Sequence, residues 1–518
     1  TPDTLPAVSE LFSDDIAWLA DLGSKETGRW GSDGFAIRQL GDDIWIIGNT
    51  SKGAMNGVYD LIEENLGVIW IRADETKGLF FDPMDEAVLQ KVDYREKSPF
   101  TERGWTFASD DANKLLFARN KINGGQKNEQ FGQVQLLYPH NIKSYLRSSS
   151  LYDPEETEYW ETDEAGNSLG DAGSHQVNPW SDKAAECIAA AVITQMKETG
   201  ERFVFVGEED AAAPQRCVPY DTLPFEYAPG LYVNPSDSNY YSTVFHSMIN
   251  KIARLVREEI EDGIIGTFAY SIALEPPACE MEDNVQICIA PIAEDMTAPL
   301  LDTSARDRLN QSPSNLYCDY IPVWYEKAEL VFYWHYYTCN PYGTQYSWPI
   351  YYKLQEDLRE HAEHGVYGVM TGGFADLDIR NGWLEYFGLD ATCSNYWDMN
   401  VLMLWLYQKL VWNPYEDVPT LITTFCDKVY GEASPYMQEY YRLMEQGFAA
   451  GAQTTRRPTT ISTLASDFYQ VFVRKQQIGH DVLDALDQAR QAASGPIRDT
   501  IEYMYENVRS VLSSFRNY

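Results

Sequence analysis

The sequence predicts an α/β protein built as a small N-terminal α/β domain, a (β/α)8 TIM-type barrel and a C-terminal helical region. Three observations predict it. The 518 residues, 44% of them hydrophobic, exceed what one small core organises. From about residue 98, short apolar strands alternate eight times with helical stretches, the count of a (β/α)8 barrel. From about residue 395 the strand patterns stop, and helical periodicity runs to the C-terminus.

Taken in order, "GFAIRQLGDDIWIIGNT" offers two short strands around the turn at Gly41-Asp42-Asp43. "SKGAMNGVYDLIEENLGV" follows as a helix with Met55, Val58, Tyr59, Ile62 and Leu66 on one face, and "EKSPF" closes a domain expected over residues 1–97. The barrel is expected over 98–412, with strands "TERGWTF", "KING", "GQVQLLYP", "RFVFVGE", "GIIGTFAYS", "NVQICIAP", "ELVFYWHYYT" and "GVYGVMTGG". The second of these carries the weakest strand pattern. Stretches such as "SDKAAECIAAAVITQMKETG" and "YYSTVFHSMINKIARLVREEIEDG" supply crossover helices. Residues 413–518 are expected to form the helical domain, from "PYMQEYYRLMEQGF" to "IRDTIEYMYENVRSVLSSF".

Charge narrows the partners. With 78 acidic against 40 basic residues the formal charge is −38, which repels nucleic acid and anionic membrane surfaces. No stretch approaches the roughly 20 apolar residues of a membrane span, so no membrane insertion is expected. The opening "TPDTLPAVSE" is the kind of start a cleaved export signal leaves, and an extracellular or periplasmic location is the expectation. The eight cysteines include no C-x-x-C pair. His361 and His364 sit three apart on a helix whose charged end commonly carries histidine, so no metal and no cofactor are expected.

Chemistry gathers where strands end, because barrel enzymes place catalytic groups there. In "GERFVFVGEEDAAAPQRC" an apolar strand runs through Gly207 into Glu208, Glu209 and Asp210. Three like charges so close raise one another's pKa and contribute nothing to folding, although a solvated acidic loop would look the same. Glu275 follows the fifth strand, Glu294 and Asp295 the sixth, and Asp376 the eighth. Trp105, Tyr138, Tyr270, Trp334, His335, Tyr336 and Phe374 end strands as well, offering flat surfaces for sugar rings or an ordinary aromatic core. Carboxylates ringed by aromatics suit glycoside hydrolysis. Glu209 facing Glu275 would permit a double displacement, whereas an adjacent pair such as Glu209 and Asp210 would fit attack by the substrate's own acetamido group and would need a bent strand end. No G-x-S-x-G elbow or nucleotide loop is present.

Longer segments carry a resemblance. "IIGNTSKGAMNGVYDLIEENLG" resembles the N-terminal α/β domain that precedes the barrel of hexosaminidases and α-glucuronidases. "LLYPHNIKSYL", "SHQVNPWSDKAAECIAAAV", "FVFVGEEDAAAPQRC", "GTFAYSIALEPP", "QICIAPIAEDMTAPLLD" and "LYQKLVWNPYEDVPTLITTFCDKVYGEASPYMQEYY" together resemble glycoside hydrolase family 163, over about residues 30–445. That resemblance implies a barrel and retaining, substrate-assisted hydrolysis of β-linked N-acetylglucosamine in the core of N-glycans. Asp210 is the position it supports best. The family tends to show Asn-Asp where this chain has Glu209-Asp210, and a histidine before "LLYP" where this chain has Gln133 nearby.

The expected function is therefore a glycoside hydrolase with a glycan substrate. Glu209, Asp210 and Glu275 are the catalytic candidates, and Trp105, Tyr138, Glu208, Tyr270, Trp334, His335, Tyr336 and Asp376 the substrate-binding ones. A catalytically silent glycan-binding protein, or a hydrolase or lyase of the same fold acting on a different polysaccharide, are the rival readings.

Overall fold

The computed structural model describes residues 1–106, 110–136, 140–210, 216–303, 314–340, 342–376 and 394–515. In chain order the elements used below are α1 (Ser13–Ala20), β1 (Phe35–Leu40), β2 (Asp43–Gly48), α2 (Ser51–Leu66), β3 (Tyr94–Glu96), β4 (Glu102–Trp105), α3 (Asp111–Arg119), β5 (Gly124–Gly125) and β6 (Val134–Gln135). There follow α4 (Ile142–Ser148), α5 (Asp182–Thr199), β7 (Phe203–Phe205), α6 (Tyr240–Glu259), β8 (Ile264–Ala269), β9 (Val285–Ile289), α7 (Ser314–Lys327) and β10 (Leu330–Thr338). The last are α8 (Tyr351–Glu363), β11 (Gly368–Gly373), α9 (Ser394–Trp412), α10 (Val418–Tyr430), α11 (Ser434–Ala452), α12 (Gly479–Ala492) and α13 (Pro496–Ser513). By packing, the chain forms two compact units: Thr1–Gln135 with Ile292–Tyr317 and His335–Tyr518, and Leu136–Pro291 with Cys318–Trp334.

The first unit starts with a three-stranded antiparallel sheet ordered β2-β1-β3, as the alternating strands around Gly41 predict. Helix α2 begins where Thr50 accepts from the Gly53 backbone N–H, and ends at Gly67 in the left-handed region at φ 61°. It lies so close to the sheet's edge that a Cβ on Gly53 would stand 2.3 Å from the Gly34 carbonyl oxygen. On the face that α2 covers, Phe35 of β1 packs on Trp412, with ring centroids 6.0 Å apart and nearly parallel planes. Helices α10 to α13 follow in this unit, with buried aliphatic and aromatic stripes that match their periodicity.

The eight strands from β4 to β11 form one parallel sheet ordered β6-β5-β4-β11-β10-β9-β8-β7. The order is that of a (β/α)8 barrel, but the closed TIM-type barrel predicted from sequence is not what the chain builds. Among the described residues no ladder joins β6 to β7, and the sheet is an open half-barrel. The reason lies in what replaces the missing pairing along β7. The Asn141 side-chain amide donates to the Phe205 carbonyl at 2.8 Å and accepts from the Gly207 N–H at 3.0 Å. The backbone N–H groups of Asn141 and Ile142 both donate to the Gly207 carbonyl, at 3.2 and 3.1 Å. One asparagine at the start of α4 thus satisfies the edge that a neighbouring strand would otherwise take. On the other edge, β6 pairs through only Val134 and Gln135, against the two glycines of β5. Among the described residues, the strands expected at "KING" and "GQVQLLYP" are present as two-residue ladders; residues 137–139 of the second lie outside the described residues.

Candidate active site

The acidic run leaves β7 in the second unit, where each of its three carboxyls meets a different environment. Glu208 is 2% exposed, and among the described residues neither carboxylate oxygen has a hydrogen-bond partner. Burial raises its pKa well above the usual carboxylate range, and the charge of Asp210 pushes it further. An unpaired charge buried away from water is costly, and the shift favours the protonated form of Glu208. Glu209 turns to the N-terminus of α4, where one oxygen accepts from the Lys143 N–H at 3.1 Å. Its backbone is clamped as well. The Glu209 N–H donates to the Gln176 side-chain carbonyl at 2.9 Å, and the Gln176 amide donates back to the Glu209 carbonyl. Asp210 is exposed and accepts from the Tyr270 hydroxyl at 3.4 Å.

Tyr270 reports on this arrangement. Its phenol is pushed up to about 12, first by burial, then by the charge and hydrogen bond of Asp210, with Glu208 contributing. Glu208, Asp210 and Tyr270 thus form one electrostatic group, while Glu209, the residue between, is tied to Lys143 and Gln176. Alternate residues of an extended chain point the same way, and successive residues point apart. The bent strand end required for a Glu209–Asp210 pair is replaced by a Glu208–Asp210 pair.

Aromatic rings gather on Phe268 of β8. Phe205, His140, Trp334 and Tyr270 lie with centroids 4.6, 5.6, 5.9 and 6.0 Å from it. His140 adopts the left-handed region at φ 56°, where non-glycine residues are uncommon, and its Nδ1 lies 2.8 Å from the Glu208 carbonyl oxygen. A conformation held against its intrinsic preference beside a buried acid is a frequent mark of a working site.

The remaining sequence-predicted residues fall elsewhere. Glu275, in the second unit, accepts from the Ser238 hydroxyl at 2.6 Å and raises the Tyr320 phenol through a hydrogen bond and its charge; it shares none of the contacts that join Glu208, Asp210 and Tyr270. Trp105, in the first unit, is fully buried between Phe117, Trp397 and Tyr407 and serves that core. Asp376 is buried under the Arg72 guanidinium, with bonds of 3.1 and 2.7 Å, and accepts from the Ala73 N–H. His335 is buried, stacked on Tyr337 at 4.2 Å and bonded to His361 at 2.9 Å. Tyr336 is half-buried on the same strand, and Tyr138 lies outside the described residues. Glu294 pairs with Lys353 at 3.0 Å and with His335 at 3.3 Å; Asp295 caps Thr297 and Thr459. His140, Asn141, Gln176 and Phe268 were not singled out from sequence. Only Asn141, an asparagine opening a helix in "PHNIKSYL", carries a signal that could have been read.

Among the described residues no cluster of three or more His, Cys, Asp or Glu side chains could hold a metal ion. No helix there is long and apolar enough to cross a membrane.

The sequence profile described as DUF4838, a domain of unknown function, matches residues 83–442. No curated protein matches the sequence. Among solved structures, the chain is similar to CpGH89 from Clostridium perfringens in complex with its substrate GlcNAc-α-1,4-galactose, with TM-score 0.50 and 10% identity over 92% of this chain and 56% of that one. It is similar also to the family 89 glycoside hydrolase from Clostridium perfringens in complex with 2-acetamido-1,2-dideoxynojirmycin, with TM-score 0.50 and 11% identity over 92% and 57%. The chain therefore spans little more than half the length of these enzymes, and the likeness shows a shared, glycoside-hydrolase-like fold.

Proposed function

The chain belongs to the DUF4838 family, and from that premise we propose that it is a glycoside hydrolase acting on glycans that contain N-acetylglucosamine, by a retaining, substrate-assisted route. The observation that carries the reading is the divided acidic run. One carboxyl, Glu208, is buried, without a hydrogen-bond partner among the described residues and shifted upward by burial, and another two residues on, Asp210, is exposed beside a tyrosine hydroxyl. Two acids whose surroundings differ so strongly are the usual basis for separate acid and orienting roles.

In this mechanism the substrate's acetamido oxygen attacks C1 and the glycosidic C–O bond breaks. The departing oxygen takes the Glu208 proton. Asp210 holds the acetamido N–H, and the Tyr270 hydroxyl steadies Asp210. The resulting oxazolinium ion, its N–H still held by Asp210, is then opened at C1 by water, whose proton returns to Glu208. Stereochemistry is retained because C1 is displaced twice. Trp334, half-buried and backed by the fully buried Phe268, supplies an apolar surface of the kind sugar rings pack against.

The resemblance to family 163 supports a β-linkage, and the α-linked substrate bound by CpGH89 supports the α-anomer as a second reading. Assay of aryl N-acetylglucosaminides of both anomers and of N-glycans separates them. Glu208→Gln and Asp210→Asn are each expected to lose roughly 10²- to 10⁴-fold in kcat on whichever substrate is cleaved. Undiminished turnover in both variants would remove the site. Binding of these glycans without any hydrolysis would favour the silent binding protein.

A further inference from the structure

A cleft of about 490 Å³ opens between α8, α10 and α11 in the first unit, within the size range of small-molecule sites. Its walls include Tyr352, Pro419, Ile422 and Pro435, and its polar groups include Arg442 and Glu445. Tyr352 is 42% exposed, so much of one ring face is available. Glu439 and Arg442 satisfy each other through two bonds of 2.7 Å. Glu445 is different. It is half-buried, has no hydrogen bond or ion pair, and burial raises its pKa. Its charge reaches the Tyr352 phenol, so the idle carboxyl and the open ring serve one opening.

The Glu445 carboxylate keeps contact with water and has no protein donor among the described residues, so a ligand hydroxyl can take the place of that water. Glu439 and Glu445 outnumber Arg442, and the chain as a whole carries −38, so an anion is disfavoured. The ligand class that presents an apolar C–H face to a tyrosine and hydroxyl donors to a carboxylate is a neutral saccharide. We propose that this cleft is a second glycan-binding site, which stacks a neutral sugar ring on Tyr352 and takes its hydroxyls on Glu445. The proposal shares with the hydrolase reading only the expectation that the ligand is a glycan.

Ligand-observed NMR titration of the full chain with triacetylchitotriose, cellotriose and lactose tests it. At least one should bind at millimolar concentration or better. Tyr352→Ala should weaken that binding about tenfold, and Tyr352→Phe should leave it within about twofold. Glu445→Gln should weaken it about fivefold, keeping shape while removing the charge-assisted bond. Unfolding transitions should match those of the wild type. Full-strength binding in both Tyr352→Ala and Glu445→Gln, or absence of binding by all three saccharides, would overturn the proposal. Asp210→Asn should abolish hydrolysis and leave the Tyr352-dependent binding intact. Retained hydrolysis in that variant would count against the active site alone, and loss of the Tyr352 effect in it against the cleft.

Discussion

Two buried glutamates, Glu208 after β7 and Glu294 after β9, show what a fold does with an acid it removes from water. Both are essentially inaccessible. Burial pushes the Glu294 carboxyl upward, but the Lys353 ammonium and His335 hold it down to about 2, and Lys353 in turn bonds Asp357 at 2.6 Å. Tyr337 donates to the same Asp357 at 2.7 Å, so the network closes on itself. Glu208 has no such partner among the described residues, and burial shifts it toward its protonated form instead. The difference teaches that burial by itself does not mark function. A buried acid whose partners satisfy it belongs to the architecture, and one left unsatisfied is held ready for something the chain does not contain.

The sharpest way to break this contrast is to substitute Glu294 and, on the other side, the acid that shares the Glu208 site, and to measure both properties. Asp210→Asn, acting beside Glu208, should cost roughly 10³-fold in kcat with no loss of stability, read by glycoside assay and thermal unfolding. Glu294→Gln should do the reverse. It breaks a buried ion pair, so about 3 kcal/mol of stability should be lost in denaturant unfolding, with the catalytic pH profile of the folded fraction unchanged.

The pH dependence of stability sharpens the comparison further, because the signs are opposite. Glu294 binds its proton less tightly when folded, with a pKa of about 2. Its contribution is present above the unfolded value of about 4.3 and is lost as pH falls toward 2. Glu208 binds its proton more tightly when folded. Its contribution is intact below about 4.3 and declines as pH rises toward the raised folded value. Glu208→Gln should therefore flatten the neutral side of the stability curve, and Glu294→Gln the acid side. The smallest effect belongs to Tyr270→Phe, which removes one hydrogen bond to Asp210 and should lower kcat by a factor of about 3 to 10.

Much of this was legible in the sequence. The apolar run Phe203–Val206 ending in three acids located the mouth of a strand, and the alternation of strands and helices predicted the strand order. The ring's failure to close was not legible, because it depends on Asn141 taking the hydrogen bonds of Phe205 and Gly207, a contact between residues more than 60 positions apart. The assignment within the acidic run was equally hidden. Spacing shows that Glu208 and Asp210 share a side, but only Lys143 and Gln176 show which side is already occupied. Trp105 and His335 end strands as a sugar platform would, yet their neighbours are core aromatics and a charge network. Terminal position on a strand is a property of one segment, and whether it faces ligand or core is a property of everything packed around it.

Infrared difference spectroscopy of side-chain carboxyls at pH 7 tests the contrast most directly. The wild type should show the carbonyl band of a protonated carboxylic acid that disappears in Glu208→Gln and persists in Glu294→Gln. Absence of that band from the wild type, or its disappearance in Glu294→Gln instead, would contradict the account.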